Sequence, residues 1–129
     1  FLLQDSGLNS GFMIPQYVAA ALVSENKILS HPASVDTIPT SAGKEDHVSM
    51  GTTAAVKCRR VVENSWNVIA MELLCASQGI EFHKPLKAAA AVHRAYKVIR
   101  TKVPPVERDR AFYIDINNIN ELMFTDIPV

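Results

Sequence analysis

From Asp46 to Gln78 the sequence contains no proline, and Val48, Cys58, Val61, Val62, Ile69, Leu73 and Leu74 keep to helical spacing. An unbroken helix of about 33 residues is about 50 Å long, whereas a compact domain of this size has a radius of gyration of about 14 Å. The stretch therefore predicts a helix that overhangs its own domain. Trp66, Val68, Ile69 and Leu73 stand in its middle, so the overhang is expected to be apolar and to want partner helices. Gly51 reads as an early weak point and Gly79 as the natural C-cap.

The rest of the chain supplies helices of ordinary length. Phe12 to Leu29 carries Phe12, Val18, Ala21, Leu22, Val23, Ile28 and Leu29 at helical spacing, with Pro15 tolerable near its start and an AAAL run that permits close packing. Pro85 fits the first turn of a further helix that runs through Lys87, the AAAAV segment and Tyr96 to about Lys102, where Pro104 and Pro105 stop it. Val106 to Val129 suits one or two short helices and a frayed tail. With no strand pattern or repeat, residues 1–129 are expected to form a single all-α segment, a long-helix bundle.

Turn residues and charges crowd between Gly7 and Gly51. The cluster from Asp5 to Gly11 takes turn geometry readily, and the loop from His31 to Lys44 is interrupted by Pro32, Pro39 and Gly43. Because these clusters flank a helical run, they are expected to meet at one end of the bundle. Glu45 and Asp46 fall where the long helix is predicted to start, and the positive end of its dipole suits carboxylates.

Composition excludes several function classes. Thirteen basic residues balance thirteen acidic ones, so charge offers no reason to expect nucleic acid or an anionic membrane as partner. FLLQDSGLN lacks the features of a signal peptide and no apolar run reaches membrane-spanning length, which makes the cytoplasm the default location. Cys58 and Cys75, about 25 Å apart along one helix, are beyond the roughly 7 Å limit of a disulfide and read as reduced core thiols. His31, His47, His83 and His93 have no metal-binding spacing, so no metal is expected. Ser10, Ser34 and Ser49 lack a nucleophile-elbow context. The bases Lys84, Lys87, Arg94, Lys97, Arg100 and Lys102 read as a solvated face.

SGFMI, ASVDTIPTSA and EDHVSMG occur in this order, and VPPVERDR follows at Val103 to Arg110. Together they strongly resemble the aromatic amino acid ammonia-lyases, a family of larger, mainly helical enzymes. The resemblance implies that this chain is the C-terminal part of such an enzyme. It also implies that Met13 and Glu45 line the pocket for the substrate's side chain, with Glu45 taking part in proton transfer. Taken alone, Met13 reads as core filler and Glu45 as a helix-terminal acid. Phenylalanine-specific relatives usually carry an amide at Glu45, whereas EDHVSMG looks like the histidine or tyrosine branch; a carboxylate can accept a hydrogen bond from imidazole. Family members commonly show Asn-Gln where Gly43-Lys44 stands here.

The family's electrophile, a methylidene-imidazolone, forms from an Ala-Ser-Gly tripeptide that this sequence does not contain. The resemblance therefore implies a missing N-terminal part as partner, L-histidine as substrate, urocanate and ammonia as products, and a homotetramer. The chain alone is expected to be inactive. The alternatives are a tyrosine ammonia-lyase or aminomutase fragment, or a non-catalytic helical interaction module.

Overall fold

The structure is a computed structural model that describes residues 2–3, 7–35 and 37–127. Asp5 and Ser6 of the first turn cluster, Asp36 of the central loop and the last two residues of the C-terminal tail lie outside the described residues. Four helices follow one another: α1 (Met13–Leu29), α2 (Gly51–Glu81), α3 (Ala90–Lys102) and α4 (Phe112–Thr125), with a single 3-10 turn at Ser41–Gly43. The described residues form no strand. An isolated antiparallel bridge pairs Thr40 with Glu45.

α2 has 31 residues, which makes it about 46 Å long, and it organises the molecule. Its position differs from the predicted one at both ends. It starts at Gly51, because the Val48 N–H is taken by Thr37 Oγ1 at 3.1 Å and the chain before Gly51 is held in the loop. It continues through Gly79 to Glu81, where Arg100 Nε meets Glu81 Oε1 at 3.0 Å and fixes the last turn. Gly79 is thus an interior residue and not a C-cap. The overhang is real but lies nearer the N-terminus than the sequence suggests. Val56, Val62 and Ile69 are exposed, whereas Trp66 stacks on Phe124 with ring centroids 4.6 Å apart and Leu73 packs against the core.

That core sits at the C-terminal half of α2. Leu74, Ala70, Val103 and Ile119 are fully buried there, joined by Leu3, Phe12, Ile99 and Val106. α3 begins five residues later than the Pro85 reading implies, and Pro85 lies in the turn after α2. Of the two cysteines on α2, both free, Cys58 is exposed and contradicts the core reading. Cys75 is half-buried; burial, then the Glu72 charge, push its thiol up, which leaves it unreactive.

The VPPVERDR segment between α3 and α4 is irregular, yet side chains satisfy several of its backbone groups. Gln78 accepts the Val106 N–H (2.9 Å) and donates to Val106 O (2.8 Å). Arg100 donates to Val103 O (3.0 Å) and Ser77 O (2.8 Å), so it is turned inward and does not belong to a solvated basic face. Arg110 donates to Pro104 O and grips both oxygens of Asp115, in the first turn of α4, at 2.8 and 3.1 Å. Buried backbone carries a heavy cost when left unpaired, and these long side chains remove it.

Candidate functional site

α1 runs antiparallel to α2. Asn64 Nδ2 donates to Asn26 Oδ1 and to Glu25 Oε2, both at 2.9 Å, and Lys57 Nζ, nearer the start of α2, reaches His31 O, past the end of α1. This pairing separates the two turn clusters, contrary to the expectation that they share an end. The first lies at the core end. Asp109 accepts the N–H of Ser10 at 2.7 Å and of Gly11 at 2.8 Å, and Phe12 packs on Phe112 with centroids 5.1 Å apart. The second lies beyond the opposite end of α1.

Met13, the first residue of α1, is 38% exposed and is therefore not core filler. Along α1 it stands about 20 Å from Asn26, and along α2 Gly51 stands about 20 Å from Asn64, in the opposite direction. Met13 and Gly51 are thus on the order of 40 Å apart, and the residues from Glu45 to Gly51 recover at most about 20 Å of that. Met13 and Glu45 cannot touch within one copy of the chain.

Glu45 is exposed, and its surroundings are local. Thr40 and Glu45 exchange both backbone hydrogen bonds, Thr40 N to Glu45 O at 3.0 Å and Glu45 N to Thr40 O at 3.3 Å, and Thr40 Oγ1 donates to Glu45 Oε2 at 3.3 Å. Ser41 and Ala42, each with φ 56°, and Gly43 with φ 81° turn the chain between them in the left-handed region. Glycine takes that region at no steric cost, which suits Gly43 to the turn. Thr37 accepts the Val48 N–H one step further out and closes the same loop. Glu45 is therefore six residues short of α2 and carries no helix-dipole role; the first turn of α2 holds no acid.

A cleft of about 370 Å³ opens between the starts of α1 and α4, lined by Ile14, Pro15, Val18, Phe112, Tyr113 and Ile116. Its charged neighbours are already engaged: Asp109 by Ser10 and Gly11, Arg110 by Asp115. Its lining is mainly apolar. Among the described residues, no three His, Cys, Asp or Glu side chains gather as a metal site.

The aromatic amino acid lyase family model matches residues 1–101, more than three-quarters of the chain. The chain belongs to the aromatic amino acid lyase family. Within it, the histidine ammonia-lyase of Alkaliphilus oremlandii is 55% identical over 125 residues, covering 97% of this chain and 25% of that protein. The crystal structure of histidine ammonia-lyase from Trypanosoma cruzi superposes with a TM-score of 0.92 at 49% identity, covering 96% of this chain and 24% of that one. A tyrosine aminomutase from Streptomyces globisporus gives 0.88 at 35% identity, covering 95% and 24%. This aromatic amino acid lyase chain thus spans about a quarter of the length of the relatives it matches. VPPVERDR lies beyond the family-model match, and its buried valines and side-chain clasps give it a structural role.

Sequence reasoning missed Thr37 and Thr40, which shape the Glu45 loop. Two threonines three apart around Ile38-Pro39, opposite Glu45 and Val48 across a glycine turn, were the available signal. Asp109 left no such signal, since its partners are 98 and 99 residues away.

Proposed function

We propose that residues 1–129 form the C-terminal helical part of a histidine ammonia-lyase, which converts L-histidine to urocanate and ammonia. The observation that carries this reading is the likeness to histidine ammonia-lyases over nearly the whole chain, in sequence and in backbone. Glu45 holds the imidazole of the substrate through its carboxylate and takes part in proton transfer, and Met13 lines the side-chain pocket. Because the two cannot touch within one copy, a pocket lined by both is either long or shared between copies. The exposed apolar residues of α1 and of the first half of α2 suit assembly into a homotetramer with the rest of the protein in the cytoplasm. No helix among the described residues is long and apolar enough to cross a membrane.

The methylidene-imidazolone must come from outside this chain, which holds no Ala-Ser-Gly. When present, that group draws electrons from the substrate and prepares it to lose ammonia. The residues here fit a position facing such a group and not one holding it: the thioether of Met13 and the carboxylate of Glu45 are both exposed. A tyrosine aminomutase part is the second reading, favoured by the Streptomyces globisporus likeness and weakened by its lower identity.

Glu45→Gln in the full-length enzyme tests the assignment. Loss of a charge-assisted hydrogen bond of roughly 1.5 to 3 kcal/mol lowers histidine turnover about ten- to a hundredfold while the thermal midpoint stays within about 1 °C. Unchanged turnover removes Glu45 from the site.

A further inference from the structure

We propose that Thr40 is a positioning residue for Glu45, holding its carboxylate in the orientation from which it meets the substrate's side chain. The inference rests on the reading of Glu45 as a pocket residue. A directly opposed antiparallel pair places its two side chains on the same face of the ribbon, within reach of one another. Thr40 and Glu45 are such a pair, and the hydroxyl spans the gap to Glu45 Oε2 at 3.3 Å.

The surrounding loop is built to hold that register. Gly43 N donates to Thr40 O at 3.0 Å and Lys44 N to Ser41 O at 3.2 Å, which closes the left-handed turn between the pair. Thr37 and Val48 close the outer end at 3.1 Å. Every described residue from 37 to 47 is exposed, so no packing within this chain fixes the Glu45 rotamer. A glutamate with several rotatable bonds samples many rotamers when left alone, and a β-branched donor with a stiff χ1 is suited to select one. Threonine supplies both the hydroxyl and the stiffness.

The test is a set of variants of the full-length enzyme, read by steady-state histidine kinetics and thermal midpoint. Thr40→Val keeps the branched shape and removes the donor, Thr40→Ser keeps the donor, and Thr40→Ala provides a second donorless variant. Thr40→Val and Thr40→Ala should each lower kcat/KM about tenfold, mainly through kcat, at an unchanged midpoint, and Thr40→Ser should stay within about twofold of the parent. In the Glu45→Gln background, Thr40→Val should change kcat/KM by less than about twofold, because the group it positions is already altered.

Wild-type kinetics for Thr40→Val beside an impaired Glu45→Gln would overturn the positioning role and leave the reading of Glu45 intact. So would a full tenfold loss from Thr40→Val in the Glu45→Gln background, or a loss that tracks a lowered midpoint. An unimpaired Glu45→Gln sinks both proposals at once.

Discussion

Gln78 acts toward the segment after α3 as a neighbouring strand would, offering one acceptor and one donor to Val106. Its side chain is buried, so Gln78→Leu would leave the Val106 N–H and C=O both unpaired in the interior. At about 1 to 3 kcal/mol for each orphaned group, the variant should lose roughly 2 to 6 kcal/mol of stability. Urea denaturation followed by circular dichroism measures it; a change below about 1 kcal/mol would mean water substitutes for the amide. Glu81 has a different sensitivity. Burial raises its carboxyl, but hydrogen bonds from Lys84, Tyr96 and Arg100 and the Arg100 charge outweigh that and hold it below the usual carboxylate range. A depressed acid contributes its stability above the unfolded value of about 4.3 and loses it as pH falls through the folded one. The acid limb of the stability profile should therefore flatten in Glu81→Gln, and an acid limb identical to the parent's would show that the cluster contributes nothing. Lys84 stands three residues from Glu81 and was the one local signal, whereas Tyr96, Arg100 and the Gln78–Val106 pair were not legible in the sequence, since packing brings those residues together.

At the scale of elements, the helices were legible and their ends were not. The spacing of Val61, Leu73 and Leu74 predicts α2, because one face of a long helix has to be apolar to be buried. Gly79 misled because glycine is read as a stop only where a positive φ is needed, and here the helix continues so that Glu81 can reach Arg100. Pro85 misled in the same way, since first-turn proline and turn proline look alike in sequence. The loop from His31 to Lys44 was legible from Pro32, Pro39 and Gly43, but its closure by Thr37 and Thr40 depends on side-chain register that composition does not reveal. The placement of the core makes a quantitative contrast between two positions of α2. Leu74→Ala, at a fully buried site, should cost about 2 to 5 kcal/mol, whereas Val62→Ala, at an exposed one, should stay within about 0.5 kcal/mol in the isolated chain. Comparable losses in urea melts of the two would mean that α2 is covered along its whole length even in isolation.

For the molecule as a whole, the exposed apolar side chains Ile14, Tyr17 and Ile28 on α1 and Val56 and Val62 on α2 leave a long bundle with too little of its own covering. The isolated chain should associate at micromolar concentration, and light scattering that reports a folded, monodisperse monomer would contradict this. It should also form no urocanate, because the electrophile's tripeptide is absent from it. The central claim, that these helices complete a site for histidine, is best tested on the full-length enzyme by comparing kcat/KM for L-histidine and L-tyrosine. A carboxylate at Glu45 that pairs with an imidazole N–H should favour L-histidine by at least about a hundredfold. Equal rates, or a preference for L-tyrosine, would contradict the account.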